Sequence, residues 1–263
     1  MRKVVLITGG SSGIGMHTAI SLANSGCKVY EMSRKPRDTP GILHISGDVT
    51  SDESVYAAVR QVMEAEGRID ILINNAGFGI SGAVEFTDTV SARKQLDVNF
   101  FGAVRMCREV LPYMREAGGG RIICLSSVAA AIPIPFQTFY SVSKAAVNAY
   151  ALALGNEVRP YGIDVCAVMP GDIRTGFTAA REKGTEGDAV YGGRISRSVA
   201  KMEADERKGM DPRTVGSFIA RIALKRRVKP LYTIRADYRL FVLLSRLLPC
   251  RFLNWLVYQL YAK

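Results

Sequence analysis

The sequence predicts an α/β fold: a single doubly wound parallel sheet of about seven strands, helices on both faces, and a helical extension at the C-terminus. Three observations predict it. Short, continuously apolar, β-branched runs alternate with longer helical patterns, the mark of strands buried on both faces. A glycine-rich turn joins the first such run to the first helical pattern. The chain has 263 residues, 48% of them hydrophobic, and no linker, low-complexity tract or repeat divides it. That length suffices for one large core.

In order, the strand candidates are KVVLI (3–7), KVYEMS (28–33), ILHIS (42–46), IDILIN (69–74), RIICLS (121–126), IDVCAVM (163–169) and LYTI (231–234). Helical patterns fall near 13–25, 51–66, 90–116, 140–160 and 212–225. The helix near 51 carries a start signal: Thr50 or Ser51 can cap it, and Asp52 and Glu53 suit the positive end of its dipole. Right-handed crossovers between such strands wind the sheet and place ligands at the carboxyl ends of the strands.

The opening MRKVVLITGG runs straight into a strand and a turn, so no secretory signal is expected. The five cysteines (Cys27, Cys107, Cys124, Cys166, Cys250) are odd in number and form no C-x-x-C pair. They read as reduced, mostly buried thiols in a cytosolic protein. His17 and His44 do not make a metal set, and no metal site is expected. The net charge of +11 is uneven: residues 212–263 hold eleven Lys/Arg and one acid, Asp237, while the preceding residues nearly balance. The imbalance therefore belongs to the tail.

The segment LITGGSSGIGMHTA (6–19) joins the first strand to the first helix. Glycines at 9, 10, 13 and 15 let the backbone turn sharply and approach a ligand. The helix N-terminus then offers free N–H groups and a positive dipole to a phosphate. The spacing is neither G-x-G-x-x-G nor a phosphate loop ending in Gly-Lys-Ser/Thr, and a tight structural turn is the other reading of it.

The pattern T-G-x-x-x-G-x-G, read from Thr8, Gly9, Gly13 and Gly15, resembles the short-chain dehydrogenase/reductase family. Further family signatures follow in order: GDVT (47–50), NNAG (74–77), Asn99 in LDVNFFGAV, Ser127 in LSSVAA, YSVSK (140–144) and PGDIRT (170–175). The resemblance runs from Lys3 to Thr175 and implies a Rossmann-type domain that binds a nicotinamide dinucleotide. It implies that Asp48 and Val49 flank the adenine; Ser11, Ser12 and Ile14 of the first turn are further cofactor-binding candidates, the two serine hydroxyls as added partners for a phosphate. By the same resemblance Asn75, Ala76 and Gly77 lie along the cofactor, and Pro170, Gly171, Ile173 and Thr175 pack near the nicotinamide. At the end of the second strand, EMSRKPR (31–37) offers Ser33 and Arg34. A hydroxyl followed by a guanidinium suits a 2′-phosphate, so NADP(H) is expected over NAD(H); the other reading is a solvated basic turn. Glu31 lies two residues before Ser33, and strand alternation is expected to place it elsewhere.

Tyr140 and Lys144 are four residues apart, on one face of a helix. The lysine charge is expected to lower the tyrosine pKa and make it an acid or base near neutrality. Ser127 is expected to hydrogen-bond the substrate oxygen; strand alternation sets the adjacent Ser126 aside. Asn99 reads as structural, and the resemblance implies that it holds a water in a proton relay to Lys144. Asn99, Ser127, Tyr140 and Lys144 are thus the candidate catalytic set, and the last two also meet the cofactor.

The run VAAAIPIPFQTF (128–139) is uncharged and points to an apolar substrate face, or else to a loop packed on its own helix. The resemblance implies a substrate lid over about 176–211, with Phe177 and Tyr191 as candidate aromatics, within a domain spanning 1–236. The extension at 237–263 reads as two apolar helices broken at Pro249 and interrupted by Arg246 and Arg251, so no spanning helix is expected. It has three open roles: a cover over the substrate site, a dimer or tetramer contact, or a surface resting on an anionic membrane with Trp255 at the interface. The expected function is NADP(H)-dependent interconversion of a secondary alcohol and a ketone on a hydrophobic substrate. Similarity to 17β-like and retinol-like hydroxysteroid dehydrogenases points to a steroid or bile acid, with a retinoid or other lipid carbonyl as the alternative. A non-catalytic NADP-binding regulator would not need the complete catalytic set. A homo-oligomer is expected, and nucleic acid is not expected as a partner.

Overall fold

The computed structural model describes residues 2–263. The first half contains β1 (Val4–Thr8), α1 (Gly13–Asn24), β2 (Lys28–Ser33), β3 (Ile42–Ser46), α2 (Asp52–Glu66), β4 (Ile71–Asn74), β5 (Ile80–Ser81), α3 (Thr89–Leu96) and α4 (Gly102–Glu116). The second half contains β6 (Gly120–Leu125), α5 (Thr138–Val158), β7 (Ile163–Met169), α6 (Phe177–Ala180), β8 (Glu182–Lys183), α7 (Arg194–Arg207), α8 (Pro212–Leu224), β9 (Leu231–Thr233), α9 (Ala236–Leu247) and α10 (Cys250–Tyr261). Seven strands form one parallel sheet in the order β3-β2-β1-β4-β6-β7-β9, and β5 pairs with β8 apart from it. The predicted α/β fold is the observed one. The strand order reverses between β1 and β4, so the crevice for a ligand opens there.

The strands are continuously apolar because both faces are covered. Leu6, Leu72 and Ile122 point to one side and pack in a cluster with Val55 and Val59 of α2, Met106 and Val110 of α4, and Ala151 and Leu154 of α5. Their neighbours Val5, Ile7, Ile71, Ile73 and Ile123 point to the other, with Leu22 of α1 and Val215 and Ile219 of α8. Helices α1 and α8 approach closely at Gly216, where a Cβ would fall 2.6 Å from the carbonyl carbon of His17. Ser51, one of the two predicted caps of α2, accepts from the Ser54 N–H at 3.1 Å. Cys27, Cys107, Cys124 and Cys166 are buried thiols, whereas Cys250 is exposed.

Three elements depart from the sequence pattern. The single helix predicted over 90–116 is α3 and α4 joined by a π-helical turn, Asp97–Phe101, that contains Asn99. Within the lid segment, α7 forms from a mixed-charge stretch; its buried stripe, Ile195, Ser198 and Met202, contains only two apolar side chains. The β5–β8 pair is too short for a period to show.

The C-terminal pair α9 and α10 breaks at Pro249, as expected. Each helix fully buries one residue, Val242 or Val257. Leu243, Leu247, Phe252 and Trp255 are exposed, and Phe252 stacks on Trp255 at 5.9 Å. Among the described residues no helix is long and apolar enough to cross a membrane.

Candidate active site

The first turn is held open by the chain itself. Gly9 (φ +66) and Gly13 (φ +52) adopt left-handed conformations. Asn75 Nδ2 donates to the carbonyls of Thr8 and Gly9, both at 3.0 Å. Thr8 Oγ1 accepts from the N–H groups of Asn75 and Ala76, which clamps the end of β1 to the end of β4. Sequence reading used Thr8 only as a motif letter; its hydroxyl is the clamp. Ser12 caps α1 in extended conformation with no side-chain hydrogen bond, and the first turn of α1 holds no acid. The helix therefore presents free N–H groups and an unneutralised dipole, which fits a dinucleotide phosphate. Asp48 folds its own turn by accepting from Thr50 N and Oγ1, and Val49 packs within 2.8 Å of where a Cβ on Gly102 would lie.

At the end of β2, Ser33, Arg34 and Lys35 line the same cavity. Arg34 is exposed, with no ion pair among the described residues. The expectation for Glu31 needs correcting. Residues two apart on a strand share a face, and Ser33 Oγ donates to Glu31 Oε1 at 3.2 Å. His44 Nδ1 bonds the same carboxylate, which lies buried against Gly10. Glu31 therefore sits beneath the turn without lining the cavity.

Tyr140, Lys144, Ser127 and Asn99 are brought together from α5, the end of β6 and the π-helical turn. Tyr140 lies close enough to the Ser127 hydroxyl for that group to favour its ionised form. Ser126 points away, its Oγ donating to the Lys144 carbonyl at 3.0 Å. Lys144 is buried; its Nζ donates to the Leu125 carbonyl at 2.8 Å and lies 5.8 Å from the centre of the Tyr140 ring. Asn99 is buried behind this group. Its Nδ2 donates to the Phe78 carbonyl (3.0 Å) and Ser143 Oγ (3.1 Å), and its Oδ1 accepts from the Phe78 N–H at 2.9 Å.

The expected lowering of the Tyr140 pKa does not appear. Burial pushes the phenol up to about 12, the Ser127 hydrogen bond pulls it down, Glu206 raises it, and Arg181 lowers it. Burial also lowers Lys144, to about 8. Desolvation dominates both groups, and the mutual attraction that the four-residue spacing promised is not among the influences on either. Tyr140 therefore keeps its proton at neutral pH and is set up as an acid.

One cavity of about 2150 Å³ spans all of this. A single small-molecule site is typically roughly 300–1000 Å³, so the space suits a dinucleotide together with a large substrate. Of the residues predicted to act here, Gly9, Ser11, Ser12, Gly13, Ile14, Ser33, Arg34, Asp48, Val49, Asn75, Ala76, Gly77, Ser127, Tyr140, Lys144, Pro170, Gly171, Ile173 and Thr175 line it; Gly15 and Asn99 stand behind its wall. Val128, Ile132, Ile134 and Phe139 give the apolar wall expected from 128–139. Phe177 lies 5.7 Å from the Tyr140 ring. Tyr191, the other candidate lid aromatic, packs outside the cavity against Phe86 and Phe136. The tail supplies lining that no motif announced: Tyr238 and Phe241 of α9, and Leu253, Leu256 and Leu260 of α10. Phe241 and Leu260 are also more than half exposed or nearly so, forming an apolar lip.

This arrangement defines a dinucleotide-dependent oxidoreductase site. A family model for short chain dehydrogenases matches residues 3–186, and the chain belongs to that family. It is 45% identical over 227 residues to a 3-ketodihydrosphingosine reductase from Bacteroides thetaiotaomicron, covering 85% of this chain and 84% of the relative. It is 35% identical over 193 residues to human (Homo sapiens) 17-beta-hydroxysteroid dehydrogenase type 1, covering 67% of this chain and 58% of that protein. A short-chain dehydrogenase from Streptomyces avermitilis superposes with a TM-score of 0.83 at 29% identity, over 92% of this chain and 91% of that one.

Proposed function

We propose that the protein is an NADP(H)-dependent reductase of the ketone on a long-chain lipid of the 3-ketodihydrosphingosine type. The observation that carries this is the 45% identity over 85% of the chain to the relative of that name. The steroid or bile-acid reading rests on the more distant 17-beta-hydroxysteroid dehydrogenase and stands second. A large cavity with an apolar lip suits a flexible chain.

A reduced dinucleotide held in the cavity would supply hydride chemistry at the carbonyl carbon. Tyr140, protonated at neutral pH, gives its proton to the carbonyl oxygen, and Ser127 hydrogen-bonds that oxygen as it gains charge. Lys144 would hold the ribose hydroxyls, and Asn99 braces the Phe78 backbone. Arg34, free and exposed beside Ser33, takes the 2′-phosphate. The test is to follow nicotinamide absorbance with 3-ketodihydrosphingosine and with a 17-ketosteroid, using NADPH and NADH. The keto lipid should be reduced with NADPH preferred, and Arg34→Asp should reverse that preference. Turnover of the steroid with none of the keto lipid would sink the reading, and equal affinity for the two dinucleotides would sink the cofactor assignment.

The same reading assigns the outer face of α9 and α10 to an anionic bilayer. Leu243, Leu247 and the stacked Phe252–Trp255 pair are exposed beside Arg246 and Arg251, and residues 236–263 hold four Lys/Arg against one acid. That face runs into the cavity lip, where a lipid would enter. Trp255 is the sole tryptophan, so its fluorescence reports this surface alone. It should shift to the blue on vesicles containing phosphatidylglycerol, less so as salt rises, and Leu247→Ser should weaken binding. A homo-oligomer, seen by light scattering, that buries Trp255 and ignores vesicles would give this face to a second copy instead.

A further inference from the structure

We propose, resting on the keto-lipid reading above, that Asp172 selects an amine on the substrate, its carboxylate receiving an ammonium group carried on the carbon next to the ketone. Asp172 follows Pro170 and Gly171 at the end of β7 and lines the cavity. It is fixed in place. Its Oδ2 accepts from the Tyr238 hydroxyl at 2.7 Å, and its own N–H donates to the same phenol oxygen at 3.1 Å. The Tyr238 ring covers Gly171 so closely that a Cβ there would fall 2.1 Å from a ring carbon.

What Asp172 lacks is a cation. Arg235 and Lys201 are near enough to be felt, but Arg235 is paired with Asp237 and Lys201 with Asp205. Glu206, the other carboxylate of this wall, is already answered: Arg181 pairs with one oxygen, and Thr178 Oγ1 donates to the other at 2.6 Å. Asp172 Oδ1 has no partner among the described residues. Burial disfavours the ionised form and raises its pKa, the Asp205 charge adds to this, and Tyr238, Arg235 and Lys201 only partly oppose it; a substrate ammonium would supply a direct ion pair. Asp172 is also close enough to Tyr140 for its charge to raise the phenol's pKa. The carboxylate and the proton donor therefore face one small region, as an amine beside a ketone requires. The competing role is structural, with Asp172 serving only to tie α9 down through Tyr238.

The two roles separate on a pair of substrates: a long-chain 2-amino-3-ketone, and the same 3-ketone without the amine. Asp172→Asn keeps an acceptor for Tyr238 and loses the charge. It should lower kcat/KM on the amino-ketone by ~10- to 100-fold, the size of a charge-assisted hydrogen bond, and lower it far less on the amine-free ketone. Tyr238→Phe loosens the tie and keeps the charge, so the preference for the amino-ketone should survive in it. NADPH titration of each variant checks that the fold is intact. Equal losses on both substrates, or none on the amino-ketone, would overturn the assignment. Wild-type protein reducing both ketones equally well would overturn it while leaving the keto-lipid reading standing; wild-type protein reducing neither would remove both.

Discussion

Tyr140→Phe is expected to lower ketone reduction by about two to four orders of magnitude, the range for loss of a general acid, while NADPH still binds. The ring contact with Phe177 at 5.7 Å does not need the hydroxyl, so the wall of the cavity survives. What goes is the hydroxyl that the proposed function makes the proton donor, beside Ser127. Burial holds that proton in place at neutral pH, so the wild-type group is ready to donate without first titrating. The loss should fall on the chemical step, visible as slow single-turnover oxidation of bound NADPH with an unchanged dissociation constant. A variant that kept most of its turnover would place the proton donor elsewhere.

Gly15→Ala should abolish measurable dinucleotide binding and destabilise the fold by about 1–3 kcal/mol, the usual cost of overpacking. A Cβ at this position would lie 2.3 Å from the Gly9 carbonyl oxygen and 2.4 Å from Asn75 Nδ2. Neither atom can swing aside. Gly9 O is backbone, and Asn75 Nδ2 is fixed by the carbonyls of Thr8 and Gly9. The turn that shapes the cavity must therefore open. Gly26→Ala is the control: its φ is +85, with nothing within 4 Å of the added carbon. It strains the backbone far from the cavity and should leave NADPH affinity alone. Urea denaturation and fluorescence titration measure both effects. A Gly15→Ala protein that bound NADPH like the wild type would show that this turn does not cradle the cofactor.

Much of the fold was legible because its signals are local. Apolar strand runs, the Ser51 cap, the break at Pro249 and the one-face spacing of Tyr140 and Lys144 each depend on neighbours a few residues away, and each stands in the structure. The motif segments also meet around one cavity, as strand order and crossover handedness require. Glu31 was misread at the same short range, because the pleat puts positions 31 and 33 on one face. Every other miss needed distant residues. Helix α7 takes its burial from a groove whose other walls are far away in the chain, and Tyr191 turns outward to meet Phe86 and Phe136.

The sequence by itself determined the sheet, the glycine turn and the residue types gathered at the cleft, since periodicity and backbone conformation are set by near neighbours. Only the tertiary structure decided that Tyr140 keeps its proton, that the tail lines the cavity and that Asp172 has no ion pair among the described residues. Desolvation and charge add up over everything within several ångströms, and those neighbours come from α5, α7, α9 and the end of β7, which are far apart in sequence.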